Sequence, residues 1–133
     1  MVSKSGIVGL VSGLAVVLFA VSMAGDESAG YVKTIVTVDE SGFSQSCVEA
    51  GCYTPSVANV KVGSIVIMTN TDPTGVHTFT SGTVNGFTPE PDGIFDSSVL
   101  MSGDAFEHEF SSTGTYDYYC MLHTWMTGKI IVS

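Results

Sequence analysis

The sequence predicts an all-β protein, a β-sandwich that follows an N-terminal hydrophobic segment. Two observations carry this prediction. Short segments rich in valine, isoleucine, threonine and aromatic residues recur after residue 30, and glycines stand between them. No part of the chain after residue 30 shows the period of an amphipathic helix. Many short strands separated by turn residues are typical of two sheets packed face to face.

The hydrophobic segment comes first in the chain. Residues 1–24 contain Lys4 and then an apolar stretch, residues 7–24, that only glycine and serine interrupt. A positive residue, an apolar core and small residues at its end predict a secretory signal peptide. The stretch is nearly long enough to cross a bilayer, so an uncleaved membrane anchor is the alternative. In both cases, residues 25–133 are predicted to form one extracytoplasmic domain, either secreted or anchored facing outside.

Seven strands are predicted after this segment, at residues 31–38, 57–62, 64–69, 77–80, 105–110, 115–120 and 129–132. The first two segments alternate in the way that half-buried strands do. The near-continuous apolar run of residues 64–69 is typical of a buried strand. Residues 81–102 show no regular pattern, and no element is predicted there.

The charge of the chain excludes one class of partner. Thirteen acidic residues stand against four lysines, and the formal net charge is −9. Such a chain has little with which to neutralise phosphates, so nucleic-acid binding is not expected. An acidic surface favours encounter with basic partners, although it also simply keeps an exported protein soluble.

The three cysteines fall into a pair and a single residue. Cys47 and Cys52 enclose four residues, and in an oxidising compartment such a pair forms a disulfide. A metal-binding pair is the alternative, but no histidine is close to it in sequence. Cys120 is then left over, and an unpaired cysteine in an exported protein needs a reason. Metal ligation is such a reason, because the thiolate is the metal-binding form.

A short segment near the C-terminus is the most informative part of the chain. It holds Cys120, His123 and Met126 at successive spacings of three residues. A thiolate, a weak thioether and two imidazoles are the ligand set of a blue-copper electron-transfer site. The candidate for the second imidazole is His77, which follows an apolar run and a turn. Soft sulfur ligands favour copper over magnesium or calcium, and a methionine ligand argues against a structural zinc site.

The alternation of side chains along a strand predicts the surroundings of this segment. Tyr116, Tyr118 and Cys120 are expected to share one face, with Cys120 at the end of its strand. Tyr119 is then expected to face outward. His108 is in phase with two phenylalanines and is expected to pack at the edge of the core rather than to bind metal.

Residues 114–120, together with His123, Met126 and residues 128–132, resemble the C-terminal signature of the cupredoxins. The gap between His123 and Met126 is similar to the short ligand loop of amicyanin, and the domain as a whole resembles small plastocyanin-like proteins of archaea. The resemblance implies a Greek-key β-sandwich of the cupredoxin type with one type 1 copper. By position, it implies these metal ligands: His77, Cys120, His123 and Met126.

Two positions depart from the family pattern. Cupredoxins usually have asparagine after the first histidine ligand, where this chain has Thr78. They often have proline just before the second histidine, where this chain has Leu122. Both positions adjoin ligands, and groups around the ligands tune a metal site. The ligand set is intact, so the departures bear on the reduction potential.

The function predicted from these features is that of an exported one-electron carrier, not an enzyme. Copper would cycle between Cu(I) and Cu(II), and the partners would be redox proteins with basic surfaces. A membrane tether through residues 7–24 is the alternative to free export. One alternative function is a copper enzyme with an open axial position, acting on a small molecule such as nitric oxide. The other is copper storage or delivery.

Overall fold

The computed structural model describes residues 31–133, and within that range the chain forms nine β-strands. They are β1 (Val32–Thr37), β2 (Tyr53–Thr54), β3 (Val57–Val60), β4 (Ser64–Thr69), β5 (Thr80–Asn85), β6 (Thr88–Asp96), β7 (Ala105–Phe110), β8 (Gly114–Tyr119) and β9 (Thr127–Val132). No helix in this range is both long and apolar enough to span a membrane. The predicted signal peptide or anchor, residues 1–24, lies outside the described residues.

The strands form two sheets that make the predicted Greek-key sandwich. One sheet has the order β2-β1-β4-β7, and the other has the order β3-β9-β8-β5-β6. Most neighbours within a sheet are not consecutive in the chain. Two of these pairings, β1 with β4 and β3 with β9, are parallel, while the others are antiparallel. These long-range pairings bring distant segments of the chain to the same end of the sandwich.

Six of the seven predicted strands are confirmed with small changes at their ends, and the strand at residues 77–80 is wrong. His77 makes only an isolated bridge with Leu100, and β5 begins at Thr80. The unassigned residues 81–102 contain most of β5 and all of β6. Serine, glycine, threonine and asparagine make β5 polar, and two prolines lie in the largely exposed β6. A pattern of apolar alternation therefore could not reveal this hairpin.

The core between the sheets is dominated by aromatic rings. The Tyr53 ring lies 4.8 Å from the rings of both Phe79 and Tyr118, and Phe95 packs edge-on against Phe110. Such tilted and edge-to-face contacts are the favoured arrangements of aromatic pairs. The half-buried His108 ring packs against Phe95 and Phe110, as predicted.

The tyrosines of β8 follow the predicted alternation with one correction. Tyr118 and Cys120 both belong to the core, and the half-buried Tyr116 packs against it. Tyr119, which was expected to face outward, is fully buried. Burial, together with the charges of Asp96 and Asp92, raises the pKa of the Tyr119 hydroxyl. Sequence alternation gives the face of a sheet on which a residue lies, but not whether that face is covered.

A long loop, residues 38–52, connects β1 to β2, and a disulfide constrains its C-terminal end. Cys47 and Cys52 form the predicted disulfide there. Cys52 is buried, and its carbonyl accepts a hydrogen bond from the amide of Val38. Both ends of the loop are therefore held together beside the sandwich. Cys120 is the cysteine that remains a thiol, and it is buried.

Candidate metal centre

Cys120 lies at one end of the sandwich, directly after β8. It continues the inward face that Tyr118 occupies, so its thiol points between the sheets and is fully buried. The position follows from the alternation of side chains along β8. It places a potential metal ligand on a rigid strand end rather than on a mobile loop.

The chain after Cys120 turns sharply before it enters β9. The amide of His123 donates to the carbonyl of Cys120, and the amide of Met126 donates to the carbonyl of His123. The amide of Cys120 donates to the carbonyl of Met126 at 3.1 Å, which closes the loop. This short loop therefore presents Cys120, His123 and Met126 at the same end of the protein. Met126 is fully buried, while His123 is partly exposed.

His77 reaches the same end from the segment that precedes β5. The segment is anchored by Asn70, whose side-chain amide donates to the carbonyls of Gly75 and Leu100. His77 and Leu100 exchange backbone hydrogen bonds of 3.2 and 2.8 Å. A turn and an isolated bridge, rather than a regular strand, therefore set the direction of the fully buried His77 ring.

These segments bring three donor atoms together. The Cys120 Sγ atom lies 3.9 Å from Nδ1 of His77 and 3.6 Å from Nδ1 of His123. One donor atom from each of the three residues lies within 4.8 Å of the others. A thiol and two imidazole nitrogens at such distances suit one tetrahedral or trigonal ion with soft ligand preferences, such as copper or zinc. The structure thus unites three of the four residues predicted as ligands and places the backbone of Met126 beside them.

The sulfur of Cys120 lies in a polar environment although it is buried. Burial acts to raise the pKa of the Cys120 thiol, but the His77 imidazole and the backbone amides of Thr78, Leu122 and His123 outweigh it and lower that pKa. The amide of Thr78 donates to the sulfur at 3.3 Å. These groups favour the thiolate, which is the form that binds a metal.

Thr78 also joins the two ligand-bearing segments. Its hydroxyl accepts a hydrogen bond of 2.8 Å from the amide of Met121, and its carbonyl accepts one of 2.7 Å from the hydroxyl of Tyr53. Thr78, one of the two residues that depart from the family pattern, therefore holds the ligand loop against the His77 segment. Its contacts explain how threonine fills this position.

The loop of residues 38–52 packs over the same end of the sandwich. The hydroxyl of Ser41 lies 3.5 Å from Nε2 of His77, and the Ser41 carbonyl accepts a hydrogen bond from the indole N–H of Trp125. Gly42 lies flat against the His123 ring, and a Cβ atom there would be 2.7 Å from Cε1 of His123. Only glycine allows this close approach without moving the ring.

The two histidines differ in their electrostatic surroundings. Burial acts to lower the pKa of His77, but contacts with Cys120 and Asp72 outweigh it and raise that pKa. Burial and the nearby charge of His77 lower the pKa of His123. The contact with Cys120 is the larger of the two causes that raise the pKa of His77, and Asp72, whose Oδ2 atom lies 2.7 Å from Nε2 of His77, is the second.

Sequence reasoning missed Asp72, Ser41 and Gly42. Asp72 lies in the turn before His77, where an aspartate is ordinary turn chemistry and carries no sign of a second role. The one signal in the sequence was that Asp72 precedes His77 by only five residues. Nothing in the sequence connected the loop of residues 38–52 with the ligands.

The fold and these donor atoms define a β-sandwich metalloprotein with a cysteine–bis-histidine centre at one end. The sequence profile of the copper-binding proteins of the plastocyanin/azurin family matches residues 43–133. Amicyanin-alpha of Methylorubrum extorquens is 31% identical over 120 residues, which cover 89% of this chain and 94% of that protein. The chain therefore belongs to the cupredoxins, and its cofactor is copper, held as a single type 1 ion.

Two solved structures extend the comparison. A purple cupredoxin from Nitrosopumilus maritimus has a TM-score of 0.65 and 35% identity, over 76% of this chain and 99% of that one. The copper-containing nitrite reductase of Thermus scotoductus has a TM-score of 0.51 and 31% identity, but the match covers only 20% of that chain. The likeness to the reductase is thus confined to one part of a much larger enzyme.

Proposed function

We propose that the protein is an extracytoplasmic one-electron carrier whose copper ligands are His77, Cys120, His123 and Met126. The convergence of Nδ1 of both histidines on the Cys120 sulfur is the observation that carries this proposal. Copper supplies a one-electron couple, Cu(II)/Cu(I), when it is bound. Membership of a family of copper electron carriers supports the same function.

The protein's part in electron transfer is to hold the ligands still. His77, Cys120 and Met126 are fully buried, and backbone hydrogen bonds close the loop that bears the last two. A site that excludes water and keeps one geometry in both oxidation states needs little rearrangement when the electron moves. Met126 is also fully buried and ends the same loop, so its thioether would be the fourth donor to the ion.

His123 is the point at which we expect electrons to enter and leave. It is the one ligand of the four that is partly exposed. Leu122, which precedes His123 in the chain, is 46% exposed, and Phe43 and Met101 are 75% and 57% exposed. Phe43 and Met101 line one groove of about 400 Å³ with His123. An apolar surface beside a ligand edge lets a redox partner approach closely.

The partners proposed are redox proteins with basic surfaces. The net charge of −9 makes long-range attraction to a basic partner favourable, and it disfavours nucleic acid. Attachment through the hydrophobic residues 7–24, as an alternative to free export, would keep the carrier near a membrane-bound donor or acceptor.

The test of this function is a titration of the purified protein with Cu(II), followed by visible spectroscopy and redox titration. The wild-type protein should develop an intense thiolate-to-copper absorption, and Cys120→Ser should abolish it because a hydroxyl is a poor ligand for copper. Met126→Leu should keep the colour and raise the reduction potential, because it removes a donor that favours Cu(II). His108→Ala is the control and should keep both colour and potential. Persistence of the colour in Cys120→Ser would refute the assignment.

A further inference from the structure

A buried carboxylate lies on the far side of His77 from the other donor atoms. The Nε2–H group of His77 donates to Oδ2 of Asp72 at 2.7 Å, and both side chains are completely inaccessible to solvent. Nδ1 of the same ring faces the Cys120 sulfur. The imidazole therefore bridges a buried negative charge and the metal centre.

The second oxygen of Asp72 is held by three donors. Its Oδ1 atom accepts hydrogen bonds of 3.0 Å from the amides of Glu40 and Thr74, and one of 2.8 Å from the Thr74 hydroxyl. A carboxylate that accepts several hydrogen bonds is favoured in its charged form. The carboxylate is thus fixed in position by a network that spans two loops.

No lysine within residues 31–133 pairs with Asp72. The other ion pair described there, between Lys129 and Asp117, is at the half-exposed surface. Asp72 therefore acts electrostatically on His77 and, through it, on the metal centre. A charge in a buried, low-dielectric site is felt more strongly than the same charge in water.

Gly75 lies close to this hydrogen bond. A Cβ atom on Gly75 would lie 3.0 Å from Oδ2 of Asp72 and 3.3 Å from Nε2 of His77. Gly75 therefore packs against the hydrogen bond, and the two side chains that form it are inaccessible to solvent. The Ser41 hydroxyl, at 3.5 Å, is the other polar group beside Nε2.

We propose that Asp72 is a positioning residue of the copper centre, which fixes the tautomer and orientation of His77 and lowers the reduction potential. The inference rests on the proposed function, because it assigns Nδ1 of His77 to the metal. A carboxylate that accepts the outer N–H of a histidine ligand holds the ring and raises its basicity. A more basic ligand and a nearby negative charge both favour Cu(II) over Cu(I).

The test compares Asp72→Asn with Asp39→Asn in copper-loaded protein. Asp39 is exposed and belongs to the same loop as Glu40, so its replacement removes one charge without touching His77. We expect Asp72→Asn to shift the Cu(II)/Cu(I) equilibrium about tenfold toward Cu(I), which is about 59 mV for a one-electron couple. Copper affinity should fall roughly 10–100-fold. Asp39→Asn should leave both quantities close to wild type.

Two further measurements keep the outcome independent of folding. Asp72→Glu restores the charge and should return the potential toward that of wild type. In the copper-free protein, NMR of the His77 ring should show the proton on Nε2 in wild type and lose that preference in Asp72→Asn. An unchanged potential in Asp72→Asn, or an unchanged tautomer, would overturn the inference. Neither result would contradict the proposed function, which is refuted instead if the Cys120→Ser variant keeps the copper colour.

Discussion

The two sides of the metal centre are built differently. His77 is fully buried, bonded to Asp72 and carried by a segment that Asn70 anchors. His123 is partly exposed, covered by Gly42, and carried by a loop that is closed by its own backbone hydrogen bonds. The difference teaches that one histidine of such a centre is fixed by buried polar contacts, while the other is open to solvent.

The largest expected effect comes from removing the anchor of the buried side. Asn70→Ala would remove one hydrogen bond each from the carbonyls of Gly75 and Leu100, the Thr37 hydroxyl and the Asp72 amide. A hydrogen bond of this kind contributes about 0.5–1.5 kcal/mol to stability. We expect the free energy of unfolding of the copper-free protein to fall by roughly 3 kcal/mol, as measured by urea denaturation.

The matched control for this change is Asn59→Ala. Asn59 is exposed on β3, so its loss should alter the free energy of unfolding by less than about 0.5 kcal/mol. Equal effects of the two substitutions would mean that the Asn70 network does not stabilise the His77 side.

A smaller effect is expected on the exposed side, from Leu122→Pro. The Leu122 amide is among the groups that lower the pKa of the Cys120 thiol, and proline has no N–H. Losing this donor leaves more electron density on the thiolate, which favours Cu(II). A redox titration should therefore give a lower potential for the proline variant than for wild type.

Leu122→Ala separates the amide from the side chain. It keeps the N–H group and removes only a side chain that is 46% exposed, so its potential should match that of wild type. An equal or higher potential in Leu122→Pro would mean that the Leu122 amide does not act on the sulfur.

The smallest effect is a difference in titration between the two histidines of the copper-free protein. The pKa of His77 is raised above 6.5, so its protonation stabilises the fold below pH 6.5, and this stability is lost as pH rises through the folded pKa. The pKa of His123 is lowered, so its protonation destabilises the fold at low pH, and this stability is recovered as pH rises from the folded pKa to 6.5. NMR titration should place the midpoint of His77 above that of His123. The reverse order would remove the electrostatic basis of the comparison.

The exposed side of the centre was more predictable than the buried side. Cys120, His123 and Met126 follow one another at regular spacing after a strand, so local sequence contains their arrangement. The His77 side depends on Asp72 and Asn70, whose roles arise from hydrogen bonds between segments that are distant in the chain. Polar residues in a turn give the same pattern whether or not they support a ligand.

The fold shows the same division between local and long-range information. Strands with a clear apolar pattern, such as the near-continuous run of β4 and the alternation of β7, have the bounds that the sequence predicted. The β5–β6 hairpin was missed because its contacts are made by polar residues and its register shifts between Thr80 and Gly82. The burial of Tyr119 was missed because the covering of a sheet face is a tertiary property.

The contact between Ser41 and Trp125 has a consequence for how the protein folds. These residues are 84 positions apart, and His77 meets Cys120 across 43 positions. Contacts between such distant residues form only after long stretches of chain have closed, which makes them slow to appear. In a chain whose β8 has not yet paired with β5, the loop that bears Cys120, His123 and Met126 would lack His77 beside it. High-affinity copper binding therefore requires that both sheets of the sandwich have formed.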